Sequence, residues 1–335
     1  MSAKKNLCVL GIESTAHTFG ASILKNRKVL SNVKDTFTTE SGGIIPVKAS
    51  EHHIELSDQI IKKALEIAGV KLSDIDLISY SKSPGLGHTL RIGAFVARSL
   101  AALNDIPIIG VNHCIAHLEI GRHLTDAKDP VMLYCSGANT QIIAYESGKY
   151  RIFGESLDIG VGNFLDSFAR SMGLGFPGGP KIYDLSLKYG NYVELPYVVK
   201  GMDVSFGGIL TNLKQKLRSC EYSKEDLSYS AQETVFSMLL EVAERAMAHC
   251  EKKELLLGGG VACNKRLQEM ARIMCKERGA KLYCPEPEFL VDNAAMIALL
   301  GDLQYSSIAG KSDKISESGI DPYVRTDEID VYWRK

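Results

Sequence analysis

The pattern that most constrains the fold is a strand, a small polar turn and a second strand, which occurs twice. The first copy spans residues 7–24 and has its turn at 13–18. The second spans 131–145, roughly 125 residues later, with its turn at 136–140. Such turns are typical of ordinary hairpins, and their small hydroxylated residues can also offer N–H groups to a phosphate. The repetition predicts a duplicated fold.

Strands alternate with helices between the two units. An apolar stripe predicts a helix over 51–68 that Gly69 ends, and a second helix is predicted over 92–103. Buried strands are predicted over 75–80 and 107–111. This alternation indicates an α/β protein with a largely parallel sheet core.

The length of 335 residues is typical of about two domains. We place the boundary near 127–130, just before the second unit, which predicts an N-terminal domain over 1–128 and a C-terminal domain over 129–335. A long helix over 223–252 is predicted as one of the helices inserted into the second domain. The polar tail over 311–335 is predicted to be an extended edge or partly mobile.

Two histidines, His113 and His117, are spaced four residues apart. On a helix this spacing places both imidazoles on one face, about a turn apart, where one divalent ion could bind. The alternative is two polar residues on an ordinary helix. Because no further Cys or His set follows at structural spacing, an open site with distant ligands is the better metal hypothesis.

Glycine-rich segments occur at 83–91, 173–180 and 254–264. The first could bind an anion or simply turn the chain. The last predicts a strand, three glycines and a helix that begins near Asn264, an arrangement that lets backbone approach a flat ligand. Asp292 is predicted at the start of the final helix, where it could cap that helix.

Composition excludes several classes of protein. Charged residues make up 24% of the chain and the formal net charge is −1, so a free-standing nucleic-acid binder is not indicated and no DNA partner is expected. No apolar run approaches the roughly 20 residues of a membrane helix. The eight cysteines form no CxxC pair, which favours reduced thiols. We therefore expect a cytoplasmic protein that does not bind membranes.

The combined motifs carry a resemblance to known proteins. The two turns and the segment 258–264 resemble the superfamily of actin, sugar kinases and Hsp70. The histidine pair, together with 136–140, 178–181 and 291–293, narrows this resemblance to the universal tRNA N6-adenosine threonylcarbamoyltransferase family, formerly classed as O-sialoglycoprotein endopeptidases. It covers residues 6 to about 332, and the turn at 13–18 is more similar to the archaeal and eukaryotic branch.

The resemblance implies an α/β fold of two actin-like (ASKHA, RNase H-like) domains with a nucleotide and metal cleft between them. It implies transfer of a threonylcarbamoyl group from threonylcarbamoyl-AMP to N6 of adenosine 37 in tRNAs that read ANN codons, with release of AMP. The implied cofactor is one divalent metal, iron or zinc, and the nucleotide site is expected to accept ATP or ADP analogues. The implied partners are tRNA and the KEOPS subunits, including a small kinase or ATPase.

The resemblance also implies roles for individual residues. His113, His117 and Asp292 would hold the metal and act in catalysis, with Tyr134 as a further ligand. Ser136, Gly137 and Asn139 would lie against phosphate and the acyl group, and Asp166, Gly179 and Asn264 would hold ribose and adenine. The full set implied to bind substrate is Tyr134, Ser136, Gly137, Ala138, Asn139, Asp166, Gly179, Tyr183, Asp184 and Asn264.

Three positions depart from the family pattern. Ala138 stands where a second glycine is expected, and His88 replaces a proline. Tyr183 stands where a ribose-binding glutamate is usual, so either the adjacent Asp184 takes that role or the contact is lost.

Other functions fit parts of the pattern. A carbamoyltransferase of hydrogenase maturation would usually carry acylphosphatase and zinc-finger domains as well. A kinase of this superfamily would need a catalytic aspartate but no histidine pair. A metallopeptidase would need the glutamate of HExxH, whereas positions 114–116 are Cys-Ile-Ala. A non-catalytic actin-like ATP-binding scaffold or switch subunit is the alternative from a different class.

Overall fold

The computed structural model describes residues 6–40 and 43–334. The outermost residues of the two predicted domains, 1–5 and 335, lie outside this range. The strands are β1 (Cys8–Glu13), β2 (Thr18–Lys25), β3 (Lys28–Thr36), β4 (Leu77–Ser83), β5 (Ile108–Asn112), β6 (Val131–Cys135), β7 (Thr140–Glu146), β8 (Lys149–Glu155), β9 (Val199–Lys200), β10 (Asp203–Val204), β11 (Glu254–Gly258) and β12 (Lys281–Tyr283). The helices are α1 (Pro46–Ala68), α2 (Gly87–Asn104), α3 (His113–Leu124), α4 (Val161–Ser171), α5 (Gly179–Ser186), α6 (Gly207–Ser219), α7 (Lys224–His249), α8 (Lys265–Glu277), α9 (Pro287–Leu290) and α10 (Ala294–Ser307).

The two large sheets repeat one topology. The first has the order β3-β2-β1-β4-β5, and the second, read from the same edge, has the order β8-β7-β6-β11-β12. In each sheet the three strands of the first hairpins are antiparallel and the last two strands are added in parallel. The predicted duplication is confirmed, and each sheet is mixed because its hairpin unit precedes the strand–helix crossovers.

Helix α3 follows the last strand of the first sheet, and helices α9 and α10 follow the last strand of the second. These helices position the candidate functional site. Helix α10 packs against α3 and against strands β1, β2, β4 and β5 of the first sheet. Apolar side chains of both helices and of both sheets form one shared core. The chain after β12 therefore returns to the first sheet, and the division at residue 128 stays a prediction.

A glycine allows this return. A Cβ atom on Gly11, in the middle of β1, would lie only 2.3 Å from the carbonyl oxygen of Ala294. Without a side chain at that position, the first turn of α10 rests directly on the sheet. The loop before α10, which carries Asp292, is thereby brought to the carboxyl end of β1.

Several predicted boundaries are wrong by a few residues. Helix α1 begins at Pro46 rather than 51, because proline is well suited to the first position of a helix. Helix α2 begins at Gly87, inside the glycine-rich segment, where the Leu90 N–H already donates to the Leu86 carbonyl at 2.9 Å. A 3₁₀ turn (Gly260–Cys263) begins at the third of the three glycines and intervenes before α8.

The tail after α10 is irregular, with a 3₁₀ turn at Thr326–Glu328 in place of a regular edge strand, and it touches the edges of both sheets. Asp313 pairs with Ile108 of β5, and Asp330 pairs with Lys149 of β8. Near its end the Trp333 indole donates to Glu119 of α3 at 2.7 Å. No disulfide joins any of the eight cysteines, all of which are described. Among the described helices, none has the length and apolar character needed to cross a membrane.

Candidate metal and nucleotide site

The histidine pair lies at the start of α3. Strand β5 ends at Asn112, whose side-chain oxygen accepts the Ile115 N–H at 3.1 Å and caps the helix. His113 is the first helical residue and His117 follows one turn later. Their ring centroids are 4.7 Å apart. The predicted common face is therefore present, and both side chains are buried.

Asp292 reaches this pair from the loop between α9 and α10. Its Oδ1 lies 3.4 Å from Nε2 of His113 and 3.5 Å from Nε2 of His117. A helix cap was the alternative explanation for Asp292, but the cap of α10 is Asn293, whose side chain accepts the Met296 N–H at 3.1 Å. The Asp292 carboxylate is thus left for the histidines.

The three side chains fit a divalent cation. One ligand atom from each of His113, His117 and Asp292 lies within 4.8 Å of the others. Both ring nitrogens of His117 are buried, and neither has a hydrogen-bond partner among the described residues, because the contact with Asp292 is too long. A buried imidazole without partners is costly unless something else binds it. Two imidazoles and a carboxylate form a common donor set for iron or zinc.

The ionisable side chains of the cluster shift one another's pKa values. Burial lowers the pKa of His113, but the Glu13 and Asp292 carboxylates outweigh it and raise that pKa well above its usual value. Burial also favours the neutral form of Asp292, yet the two histidines hold its pKa well below the usual range. Burial lowers the pKa of His117. Asp292 is therefore anionic and His117 neutral at neutral pH, whereas His113 is protonated when no cation is bound and would lose its Nε2 proton to a cation.

Tyr134 and the second polar turn border this cluster. The ring of Tyr134, at the end of β6, lies 5.2 Å from that of His117, and its buried hydroxyl has no hydrogen-bond partner in the described chain. Burial raises the pKa of this hydroxyl well above its usual value. In the turn that follows, the Asn139 amide donates to Cys114 Sγ at 3.9 Å, beside His113. The turn itself is closed by hydrogen bonds between Ser136 and Asn139.

The tip of this turn is open. Gly137 and Ala138 are exposed, and within the described chain no acceptor takes a hydrogen bond from either N–H group. Two neighbouring free N–H groups beside a cation site form an arrangement that can bind an anion. Ala138 causes no visible obstruction here, although its carbonyl is closely approached by Gly160.

Asp166 and the loop before α5 form a separate part of the candidate site. Asp166 lies on α4, and its Oδ1 accepts the Gly178 N–H at 2.7 Å, which fixes the chain as it enters α5 at Gly179. Burial raises the pKa of Asp166. Further along α5, Tyr183 is half-buried and Asp184 is exposed. In the described residues no hydrogen bond joins these four positions to the histidine cluster.

Asn264 has a structural role that the sequence did not show. Its side-chain oxygen accepts the N–H groups of Arg266 at 2.9 Å and Leu267 at 3.3 Å, so it caps α8. Its amide donates to Gln232 of α7 at 2.5 Å. The 3₁₀ turn before it contacts α4, β6 and α9, which places the three-glycine segment between Asp166 and the loop that carries Asp292.

Two residues near the site were missed by sequence reasoning. Glu13, at the end of β1, is fully buried, and its Oε2 lies 3.0 Å from Nδ1 of His113. Lys34 of β3 donates to the main-chain carbonyls of Glu288 at 3.3 Å and Asp292 at 3.2 Å. Burial lowers the pKa of Lys34. A carboxylate that ends a strand just before a polar turn was the available signal for Glu13, and Lys34 had none.

Comparison with known proteins gives a consistent result. Residues 28–299 match the family model described as TsaD: tRNA N6-adenosine threonylcarbamoyltransferase. The chain is 53% identical to the tRNA N6-adenosine threonylcarbamoyltransferase of Thermococcus kodakarensis, over 98% of this chain and 100% of that protein. It is 50% identical to a probable bifunctional tRNA threonylcarbamoyladenosine biosynthesis protein of Methanosarcina mazei, over 99% of this chain and 60% of that protein.

Among solved structures, the chain is similar to HypF of T. kodakarensis, with a TM-score of 0.63 at 16% identity. The match covers 89% of this chain and 47% of that one. At this identity the similarity concerns the fold, and with the duplicated sheets it confirms the predicted pair of actin-like α/β domains. Because it is 53% identical to such an enzyme over nearly its whole length and matches the family model, the chain belongs to the tRNA N6-adenosine threonylcarbamoyltransferase family.

Proposed function

We propose that this chain transfers a threonylcarbamoyl group from threonylcarbamoyl-AMP to N6 of adenosine 37 in tRNAs that read ANN codons, with the reaction centre at His113, His117 and Asp292. The single observation that carries this proposal is the buried cluster of two imidazoles and one carboxylate beside an open polar turn. Membership of the family supports the type of reaction, and the cluster supports its location in the structure.

The chemistry needs positioning and charge stabilisation more than activation. The donor is a mixed anhydride, so attack of the N6 amine on its carbonyl carbon forms a C–N bond and breaks the C–O bond to phosphate. The amine loses one proton and AMP leaves. Holding the amine against the carbonyl can contribute as much as about 7–11 kcal/mol. Negative charge develops on the carbonyl oxygen and on the departing phosphate.

Residues of this chain are positioned to stabilise that negative charge. The free N–H groups of Gly137 and Ala138 would donate to a phosphate or carbonyl oxygen, as in an oxyanion hole. His113, His117 and Asp292, with Tyr134 as a fourth ligand, would hold one divalent cation, iron or zinc. When bound, the cation supplies Lewis-acid polarisation and charge neutralisation at this point. Asp166, Gly179 and Asn264 would contact ribose and adenine, and either Asp184 replaces the usual glutamate at Tyr183 or that contact is lost.

Partners are part of the same proposal. The relative from M. mazei is named bifunctional and extends well beyond the region that this chain matches. We infer that this chain works with a small kinase or ATPase and the other subunits of a KEOPS assembly in the cytoplasm. A formal net charge of −1 is low for a protein that binds tRNA alone, so partners would supply basic surface.

The direct test is transfer of radiolabelled threonine from threonylcarbamoyl-AMP to a tRNA transcript, with partner subunits added. We expect label in an ANN-decoding transcript and none in the same transcript with adenosine 37 replaced by guanosine. Binding of the nucleotide with no transfer to any transcript would contradict the proposal and support a non-catalytic scaffold.

Asn264 offers a test of the nucleotide contacts. Asn264→Asp keeps the oxygen that caps α8 but removes the amide that donates to Gln232. Because Gln232 can turn its own amide toward the new carboxylate, we expect weaker ADP binding and little change in unfolding free energy. Asn264→Ala removes both groups and should also destabilise the protein by about 1 kcal/mol. Isothermal titration and urea unfolding measure the two effects. Unchanged ADP affinity in both variants would remove Asn264 from the nucleotide site.

A further inference from the structure

Glu13 is surrounded by hydrogen-bond donors from two sides. Its Oε2 faces Nδ1 of His113 at 3.0 Å. Its Oε1 accepts two donors from Thr15, the N–H at 2.6 Å and the hydroxyl at 2.5 Å. Because the Thr15 hydroxyl hydrogen points at Glu13, its oxygen is free to accept a second contact from Nδ1 of His113, at 3.2 Å. A fully buried carboxylate is thus fixed by both neighbours.

The turn that carries Thr15 is itself fixed by the first glycine-rich segment. The Thr15 carbonyl accepts the Leu86 N–H at 2.8 Å and the Thr89 hydroxyl at 3.2 Å. A Cβ atom on Gly85 would lie 2.5 Å from the same carbonyl oxygen, so the close approach requires glycine. Of the two roles considered for this segment, turning the chain is the one its contacts fit.

We infer that Glu13 and Thr15 are positioning residues for the candidate cation site. Glu13 accepts a hydrogen bond from Nδ1–H of His113, which leaves Nε2 facing Asp292 as the ligand atom and fixes the plane of the ring. Carboxylates commonly orient metal-bound histidines in this way. His117 is different, because its Nδ1 has no partner among the described residues. The inference rests on the proposed function, since it needs a cation at His113.

A conservative substitution tests whether Glu13 must accept hydrogen bonds on both of its oxygens. All three of its contacts come from donors, one from His113 and two from Thr15. A glutamine has only one acceptor oxygen, so Glu13→Gln must present its amide to one side and lose that interaction. We expect a 10- to 100-fold weaker affinity for Co²⁺, on the order found when such outer partners are removed. Thr15→Val keeps the shape and removes one donor, so its effect should be smaller.

The matched control is Glu119→Gln. Glu119 is another buried carboxylate with donors on both oxygens, and it lies on the same helix α3, but it does not contact the cluster. Co²⁺ affinity would be measured by competition with a chelator for the full chain and each variant. Weaker binding in Glu13→Gln with wild-type affinity in Glu119→Gln supports the inference. Equal affinity in wild type and Glu13→Gln overturns it. A wild-type chain that binds no cation would instead refute the cation site itself.

A second measurement uses the wild-type chain and does not depend on variants folding. In the zinc-loaded protein labelled with ¹⁵N-histidine, His113 should carry a proton on Nδ1, with Nε2 bound to zinc. Assignment of the signal follows from its absence in His113→Gln. A zinc-bound Nδ1 or an unprotonated Nδ1 in His113 would contradict the role assigned to Glu13.

Discussion

Replacing His117 with alanine should abolish binding of the proposed divalent cation and lower threonylcarbamoyl transfer to tRNA by at least about a hundredfold, because loss of a direct ligand should exceed the cost of losing an outer partner. Only His113 and Asp292 would remain of the three clustered ligands. The His117 nitrogens make no hydrogen bond in the described chain, and the Asp292 carboxylate, 3.5 Å from His117 Nε2, keeps His113 as a neighbour in the variant. Metal content by mass spectrometry and the radiolabelled transfer assay measure the two effects.

The control for this variant is His53→Ala. His53 is also fully buried and has an unpartnered Nε2, but it lies on α1 beside Phe19 rather than at the cluster. Both substitutions create a cavity of similar size, so both should lower stability by similar amounts. His53→Ala should nevertheless keep its cation. Full transfer activity in His117→Ala, or equal cation loss in both variants, would contradict a cation site at His117.

Replacing Glu119 with alanine will lower the free energy of unfolding by about 3–5 kcal/mol, the usual cost of breaking a buried charged pair. The Glu119 carboxylate accepts the Trp333 indole N–H and an Arg122 N–H, both at 2.7 Å, and the Tyr150 hydroxyl. Arg334 lies over the rings of Tyr145 and Tyr150 beside it. Removing the carboxylate leaves these donors without their acceptor and loosens the tail at Trp333, while Arg334 still contacts Asp129.

Urea unfolding of the purified chain measures this effect. Trp333→Phe is the graded comparison, because it removes one donor and keeps an aromatic ring, so about 1 kcal/mol is expected. Trp333 is the single tryptophan of the chain, and its fluorescence in Glu119→Ala should shift to longer wavelength as the tail is released. A loss below 1 kcal/mol with unchanged fluorescence would show that Glu119 does not anchor the tail.

Local patterns were sufficient for the class and the duplication of the fold. The spacing of apolar residues distinguishes the strands from the helices. The two hairpin units occupy equivalent positions in two sheets that have the same strand order. The helix starts at Pro46 and Gly87 were missed, because a first turn carries few apolar residues and is identified by its capping geometry instead. The packing of α10 on the first sheet was also missed, since it depends on a close approach at Gly11.

The candidate site was likewise predictable from local sequence only in part. The common face of His113 and His117 follows from helical geometry alone, because both residues belong to one turn of one helix. Asp292 could be associated with them only through the family resemblance, since nothing local distinguishes it from a helix cap. In the structure Asn293 caps helix α10. The Oδ1 atom of Asp292 lies 3.4 Å from Nε2 of His113 and 3.5 Å from Nε2 of His117.

The sequence by itself therefore determined the α/β class, the duplication, the histidine face and, through its motifs, the family. Only the tertiary structure decided that Glu13 holds His113, from 100 positions away in the chain, and that the tail reaches Glu119. The physical reason is the range of the interactions. Helical and strand periodicity depends on residues that are close in sequence. A buried carboxylate, in contrast, accepts hydrogen bonds from donors that become its neighbours only when separate strands and helices pack together.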